Sequence, residues 1–375
     1  MSVQALPAAD AASTRRLVLV AGVGRSGTSV FTTILTTAGF HVPQPEVVAD
    51  PTNPKGFGES RWVVDFHRRQ LRARRVSVWD SRPSAWADTA RAAEDTATLA
   101  ELTAWLKVQF VGRYAVVVKD PRVGWFLPLW ERAARDIGVE VSFATMLRHP
   151  AEAVSSAVTS YGDWQSAASR TASWLNIMLE TELATRGKPR VFVRYDALLA
   201  DWPAELTRAG QELGVPALLH VDAAARAAID ALVDPTLHRQ KVGFADLDVP
   251  ASVEQLAAAA WSELLALTAP AGDGPAVWVG LDECRQAYRS FYADVESIAQ
   301  SSLHALRSEG GGAPSVGRVG RSLSDGPGTA AGGGADALIR VAERFVPRTM
   351  LQRVPPVWRS RLIRAANRAG RLIRR

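Results

Sequence analysis

The sequence is almost free of cysteine. Cys284 is the only one in 375 residues, which excludes an intrachain disulfide framework and any zinc or iron–sulfur site built from cysteines. The six histidines are scattered and form no HExxH-type pair, so we expect no metal site. No apolar run approaches a length of about 18 residues, and we therefore expect no membrane-spanning helix.

A targeting pattern is also missing at the start of the chain. Residues 1–14 are rich in alanine and lack the basic and then apolar order of a secretory signal. Together with the near absence of cysteine, this indicates the reducing cytoplasm as the compartment. The hydrophobic fraction of 47% and the charged fraction of 22% are ordinary for a globular protein, which excludes wholesale disorder and fibrous arrays.

The net charge of +6 is divided unevenly along the chain. Residues 338–375 contain 11 arginines and one glutamate, a net charge of +10, so the remainder carries −4. The basic charge therefore belongs to a terminal element and not to the whole protein. For this reason nucleic acid is not an expected partner.

A glycine-rich stretch separates a domain at 1–307 from a tail at 336–375. Residues 308–335 contain 10 glycines and few large apolar side chains, which predicts a flexible linker. On a helix, the tail places arginines beside an apolar face, above all in 356–375, and basic amphipathic helices bind anionic membrane surfaces. Docking on the acidic domain and a disordered arm are the alternatives.

Short apolar runs alternate with longer amphipathic segments between residues 16 and 215. The runs show no polar alternation, as in strands covered on both faces, and helices between strands indicate parallel crossovers. We predict an α/β fold, a three-layer sandwich with a central, mainly parallel sheet, followed by a helical part at 222–307. The predicted strands are Leu17–Ala21, Ala115–Lys119, Val139–Leu147 and Arg190–Arg194. The predicted helices are Thr28–Ala38, Glu59–Arg74, Leu99–Val111, Gly124–Ile137, Ala151–Thr159, Trp164–Thr185 and Pro203–Leu213.

The first predicted strand runs directly into Gly22-Val23-Gly24-Arg25-Ser26-Gly27-Thr28-Ser29. Glycines let the backbone curl with its N–H groups inward, and the following helix adds partial positive charge, so we expect an anion here. The alternative is an ordinary tight connection. The segment satisfies G-x-G-x-x-G of dinucleotide binders, but the proline-rich region 41–58 does not read as their second strand. It also fits the Walker A frame, except that Thr28 replaces the lysine, which disfavours a conventional kinase or ATPase.

A strand followed by GVGRSGTS resembles the 5′-phosphosulfate loop of sulfotransferases that use 3′-phosphoadenosine 5′-phosphosulfate (PAPS). The family has a second element, a strand that ends in Arg with a Ser eight residues later, and Arg148 and Ser156 show that spacing. The resemblance implies a fold like that of P-loop nucleoside triphosphate hydrolases, with the 3′-phosphate on Arg148 and Ser156. It implies that the 5′-phosphosulfate is held by Gly24, Arg25, Ser26, Gly27, Thr28 and Ser29.

Two further segments extend the resemblance over roughly residues 16–215. Val193–Leu199 is similar to the family's RYEDL segment, which implies that Tyr195 lies near the adenine; packing in the core is the alternative. Lys119-Asp120-Pro121-Arg122 is similar to the family's KDP segment. By this resemblance, Lys119 and Arg25 stabilise charge on the sulfuryl oxygens and on the leaving phosphate.

An alcohol acceptor needs a general base. Glu46 lies 21 residues after Arg25, where related branches carry their base. Glu59 closes the segment N-P-K-G-F-G-E, which resembles an N-P-x-G-x-x-E segment of bacterial members. We predict Glu59 as the base, with Glu46 and another residue such as His67 as alternatives. For either glutamate, a carboxylate stabilised by a helix dipole is the structural alternative.

The resemblance implies a sulfotransferase that moves a sulfuryl group from PAPS to a hydroxyl of a carbohydrate, glycolipid or other cell-envelope acceptor. The alternatives are a P-loop kinase or nucleotidase, and a non-catalytic nucleotide-binding module at the membrane. The basic segment His238–Lys241 suggests closure over the nucleotide, or a solvated loop. Tryptophans lie where family members build the acceptor pocket, with core packing as the alternative for most of them: Trp62, Trp79, Trp86, Trp105 and Trp125.

Overall fold

The computed structural model describes residues 14–50, 53, 56–162, 164–233 and 242–310. The chain divides into two units, 1–307 and 308–375, and the elements given below belong to the first, except that the last helix ends three residues beyond it. The predicted basic segment at 238–241, the predicted linker from residue 311 onward and the predicted tail lie outside the described residues.

Strands and helices alternate along the first two thirds of the described chain, and helices follow. The strands are β1 (Arg16–Ala21), β2 (Ala115–Lys119), β3 (Glu140–Leu147) and β4 (Arg190–Arg194). The first six helices are α1 (Thr28–Thr37), α2 (Arg61–Ala73), α3 (Ala85–Ala90), α4 (Thr96–Gln109), α5 (Leu127–Asp136) and α6 (Pro150–Tyr161). The remaining helices are α7 (Ala167–Thr185), α8 (Tyr195–Ala200), α9 (Trp202–Glu212), α10 (Ala223–Leu232), α11 (Ala251–Ala266) and α12 (Pro275–Gly310).

The four strands form one parallel sheet in the order β2-β1-β3-β4. The predicted strands are confirmed, with a shift of one residue at the start of β1 and of β3. Strand β1 pairs with β2 on one side and with β3 on the other, so the chain changes sides between β2 and β3. Such a switch point opens a crevice beyond the carboxyl ends of the strands.

Helices cover both faces of the sheet. In β1, Leu17 and Leu19 face one apolar cluster, whereas Val18 and Val20 face the other. The first cluster holds residues of α2, α4, α5, α7 and α11, and the second holds residues of α1 and α9. Because both faces of the strand are buried, its sequence shows no polar alternation. The predicted three-layer α/β arrangement with a central parallel sheet is confirmed.

The helical C-terminal part packs on this body. Leu264 of α11 and Tyr288 of α12 belong to the first apolar cluster, and Arg285 Nη2 donates to the carbonyl oxygen of Leu179 at 2.8 Å. The predicted helical character of this part is confirmed by α10, α11 and α12. Within the described residues, none of the helices has the length and apolarity needed to cross a membrane.

Helix starts differ from the prediction where a polar side chain caps the backbone. Helix α4 begins at Thr96 because the Asp95 carboxylate accepts hydrogen bonds from the N–H groups of Ala97 and Thr98. Helix α7 begins at Ala167 rather than Trp164 because the Ser166 hydroxyl accepts from the N–H of Ser169. The short helix α3 was not predicted.

The tryptophans between the two predicted nucleotide-binding motifs pack in the core. The Trp62 ring stacks on Trp105 with centroids 4.3 Å apart, and Trp86 lies 4.6 Å from Trp125. Trp79 is buried beside them in the same apolar cluster. The alternative of core packing is therefore confirmed for these side chains.

The start of α1 lies directly against the start of α8. Gly27 has a φ of 88°, in the left-handed region, and a methyl group on it would lie 2.2 Å from Cδ2 of Tyr195. Glycine is therefore required at this position for two reasons, the backbone conformation and the close approach of the Tyr195 ring.

We expect Gly27→Ala to lower the free energy of unfolding by about 2–4 kcal/mol, the sum of left-handed strain and overpacking. Gly112→Ala is the matched control, because Gly112 also has a positive φ, of 68°, but has open space around it. The control should lose only about 1 kcal/mol. Urea unfolding of both variants measures the difference, and equal losses would contradict the close approach.

Candidate active site

The loop between β1 and α1 is built to receive an anion. Arg25 has a φ of 74°, a left-handed conformation that is strained for a residue with a side chain. Ser26 is fully buried, and its hydroxyl has no hydrogen-bond partner in the described part of the chain. Gly27 at the start of α1 offers no side-chain cap to the helix. A buried unpaired hydroxyl at an uncapped helix start fits an anionic oxygen.

The structure joins this loop to the second predicted motif. Arg148, at the end of β3, donates from Nη1 to the backbone carbonyl of Arg25 at 2.9 Å. Arg25 Nε in turn donates to the hydroxyl of Ser156 on α6 at 3.2 Å. Arg148 also forms an ion pair with Glu152, with Nε 3.1 Å from Oε2. The two guanidinium groups therefore lie at one place, beyond the carboxyl ends of the adjacent strands β1 and β3.

Tyr195 forms the wall behind these groups. Its ring lies 5.0 Å below the guanidinium carbon of Arg148 and packs directly against Gly27. Only 6% of Tyr195 is exposed. The structure thus places Tyr195 beside both predicted nucleotide-binding motifs, where its ring face supports Arg148 by a cation–π contact.

A second polar cluster lies at the end of β2. Lys119 Nζ is 2.6 Å from Glu59 Oε1 and donates to the hydroxyl of Ser29 and the carbonyl oxygen of Phe57, each at 3.1 Å. Asn53 Nδ2 donates to the same Ser29 hydroxyl at 3.1 Å. Ser29 belongs to the loop motif, so this cluster borders the anion site directly. Sequence reasoning missed Asn53, although it opens the N-P-K-G-F-G-E segment.

The two candidate bases have different surroundings. Glu59 is 8% exposed, and burial raises the pKa of its carboxyl group, whereas the charge of Lys119 opposes that shift. Glu46 is exposed and accepts a hydrogen bond from Gln44 Nε2 at 2.8 Å. The backbone of Glu46 pairs with that of Ser60. Glu59 precedes α2, which begins at Arg61, so it does not open the helix as predicted.

His67 is engaged on both ring nitrogens. Trp130 Nε1 donates to His67 Nε2 at 2.9 Å, so the proton lies on Nδ1, which donates to Asp120 Oδ2 at 3.0 Å. All three side chains are buried beneath the site. His67 is therefore not free to act as a base, and its contacts hold Asp120 in position next to Lys119.

Asp120 remains ionised in the core. Its burial opposes ionisation, but the hydrogen bond from His67 and the nearby charge of Arg122 outweigh it and lower the pKa of Asp120 from 3.8 to about 2. Arg122 donates to Asp120 Oδ1 from its backbone N–H at 2.9 Å and from Nη1 at 2.7 Å. The KDP segment thus directs Lys119 into the site and anchors Asp120 below it.

The described residues contain no group of three or more His, Cys, Asp or Glu side chains positioned to hold a metal ion. The site described above is built instead from cations, hydroxyls and one buried glutamate. Such a set binds and orients anionic groups through charge-assisted hydrogen bonds.

Two solved structures resemble the chain in three dimensions, and both are sulfotransferase domains. The domain from the Synechococcus PCC 7002 olefin synthase is 18% identical, with a TM-score of 0.35 over 76% of this chain and 97% of the other. The domain from the curacin biosynthetic pathway is 15% identical, with a TM-score of 0.38 over 67% of this chain and 99% of the other. No protein-family model and no curated protein matches the chain. At these identities and TM-scores neither structure decides the activity, which is inferred below from the site.

We expect the ionised Asp120 to contribute about 2 kcal/mol of stability at neutral pH, because its pKa is lower in the folded than in the unfolded chain. A lowered carboxyl pKa stabilises the fold above the unfolded value and loses that effect as pH falls, here from about 4 toward about 2. The difference in unfolding free energy between the wild type and Asp120→Asn should therefore shrink between pH 6 and pH 3.

Urea unfolding across this pH range measures the effect. Asp65→Asn is the control, since it replaces an exposed carboxylate on α2 and shows what the loss of a surface charge contributes. A constant difference between the wild type and Asp120→Asn down to pH 3 would contradict an ionised, stabilising Asp120.

Proposed function

We propose that the protein is a sulfotransferase that transfers a sulfuryl group from PAPS to an acceptor hydroxyl. The observation that carries the proposal is the contact of Arg25 with both Arg148 and Ser156. It joins two motifs that lie 123 residues apart in the sequence into one cationic site. A donor with phosphates at two positions requires two such anion-binding elements at one place.

In this proposal the loop and the Arg148 element hold the two ends of the donor. The unpaired Ser26 hydroxyl and the start of α1 receive the 5′-phosphosulfate. Arg148 and Ser156 receive the 3′-phosphate. The phosphate then competes with the Glu152 carboxylate for the Arg148 guanidinium. The Tyr195 ring holds the Arg148 guanidinium in place through their cation–π contact.

Glu59 is the proposed general base. It takes the proton of the acceptor hydroxyl while the acceptor oxygen bonds to sulfur and the bond from sulfur to the 5′-phosphate oxygen breaks. Its buried position and raised pKa make it a stronger base than an exposed carboxylate. Lys119, next to Glu59, and Arg25 stabilise charge on the sulfuryl oxygens and on the leaving phosphate.

A P-loop kinase is the competing function. It needs a lysine at the position that Thr28 occupies, to bind the β- and γ-phosphates. The cation nearest to the loop motif on the β2 side is instead Lys119, which comes from the end of another strand and contacts Ser29. This placement supports a donor that puts one phosphosulfate on the loop, rather than a nucleoside triphosphate with its β- and γ-phosphates there.

The proposed acceptor is a hydroxyl of a carbohydrate, a glycolipid or another cell-envelope molecule. It is supported by the resemblance of the segment that ends in Glu59 to that of bacterial family members. We further propose that the enzyme works in the cytoplasm, at an anionic membrane surface held by residues 356–375.

We expect 3′,5′-adenosine bisphosphate to stabilise the protein without magnesium. A ligand at 100 times its Kd adds about 2.7 kcal/mol, which raises the Tm by several degrees. Arg148→Met should lose most of this rise, because it removes the proposed 3′-phosphate fork. A thermal-shift titration measures both. Stabilisation by ATP with magnesium, and none by the bisphosphate, would favour the kinase.

We expect Glu59→Gln to lower the rate of transfer by about 100-fold or more, because the amide cannot accept the proton. The assay follows radiolabelled sulfur from PAPS into a cell-envelope extract. Stabilisation by 3′,5′-adenosine bisphosphate should persist in the variant. Glu46→Gln is the matched control and should keep the wild-type rate, since Glu46 is exposed. An unchanged rate for Glu59→Gln would remove Glu59 as the base.

A further inference from the structure

Two aromatic side chains stay exposed beside the candidate active site. Tyr161 ends α6, the helix that carries Ser156, and Trp164 follows in the turn before α7. Tyr161 is 47% exposed and Trp164 is 65% exposed. The tryptophans predicted for the acceptor pocket are packed in the core, whereas Tyr161 and Trp164 are open to solvent. Exposed aromatic surface at the mouth of a site marks a place for a ligand.

Tyr161 lies over the loop motif. A methyl group on Gly24 would lie 3.7 Å from the Tyr161 hydroxyl oxygen, and this hydroxyl interacts with the Arg25 side chain. Burial raises the pKa of the Tyr161 phenol; the cations Arg25 and Arg122 oppose this shift, and Glu59 adds to it. Tyr161 therefore lies against the loop that carries the proposed sulfuryl-binding cation, Arg25.

Trp164 is held by a buried arginine. Arg170 is fully buried and donates from Nη2 to the carbonyl oxygen of Gly162 at 2.8 Å and from Nε to that of Gln165 at 3.3 Å. Its guanidinium carbon lies 5.3 Å from the centroid of the Trp164 ring. Arg170 thus fixes the turn and supports the exposed indole, which stays open to a ligand.

Two buried polar atoms in this turn have no partner among the described residues. They are Arg170 Nη1, a donor, and Gln165 Oε1, an acceptor. A buried unpaired donor and acceptor are each costly, and a group that both accepts and donates would satisfy them. A hydroxyl group does both, whereas an alkyl chain does neither.

We propose that Tyr161 and Trp164 form the acceptor subsite and that the acceptor presents a sugar ring there. A sugar has an apolar C–H face, which packs on the indole, and a rim of hydroxyls, which suits the Tyr161 hydroxyl and the polar turn that carries Gln165. One of these hydroxyls is the proposed acceptor of the sulfuryl group. An alkyl chain would require a continuous apolar groove, whereas Trp164 is flanked in the chain by Gly162, Gln165 and Ser166. This inference rests on the sulfotransferase function proposed above.

The test is the labelled-sulfur assay with the full chain. We expect Trp164→Ala to raise the half-saturating amount of extract about tenfold, the loss of one aromatic contact, and to leave the half-saturating PAPS concentration within about twofold. Trp164→Phe should recover most of the loss. Tyr114→Ala is the control: Tyr114 is 64% exposed but precedes β2, at the opposite edge of the sheet, and should behave as wild type.

Periodate treatment of the extract distinguishes a sugar from a lipid acceptor, because it cleaves vicinal diols. We expect the treated and quenched extract to accept no label. Full acceptor activity after periodate, or a wild-type half-saturating amount of extract for Trp164→Ala, would overturn the subsite while the sulfotransferase function stands. An equal loss in Tyr114→Ala would overturn it as well. A wild-type protein that transfers no label to the untreated extract would instead overturn the proposed function, and this inference with it.

Discussion

The hydrogen bonds of Arg25 to Arg148 and Ser156 are the constraint on which the candidate site depends. They follow from the sheet: β1 and β3 are parallel neighbours, so their carboxyl ends meet at the same edge. The bond from Arg148 to the carbonyl of Arg25 holds the loop in a conformation that is strained for a side-chain residue. The two distant motifs form one candidate anion site because the Arg148 guanidinium supports the backbone that carries Arg25.

Buried charged residues at the end of β2 form a second polar cluster beside the loop motif. Lys119 forms hydrogen bonds with Ser29 and Glu59. The next residue, Asp120, instead forms a hydrogen bond with His67 beneath the site. Each buried ion has a close partner, as burial of charge requires. The contact between Glu59 and Lys119 at the border of the loop motif supports the proposed base and cation for group transfer to a hydroxyl.

The aromatic side chains form two groups, one packed in the core and one exposed to solvent. The stacked pairs of Trp62 with Trp105 and of Trp86 with Trp125 stabilise the layer of helices on one face of the sheet. Tyr161 and Trp164 remain exposed at the mouth of the site. The aromatic residues that are close together in the sequence pack in the core, and the exposed pair that we propose for the acceptor subsite lies beyond Ser156.

The sequence alone determined the four strands, their parallel pairing and the loop motif, because burial on both faces and glycine at a strand-to-helix turn are local signals. It also predicted Arg148 and Ser156 from their spacing, and Lys119 and Glu59 from the resemblance of their segments to family motifs. Only the tertiary structure separated Glu59 from Glu46, engaged both nitrogens of His67 and placed Tyr161 over the loop. Those outcomes depend on which helices pack together, and contacts between residues far apart in the chain leave no periodic trace in it.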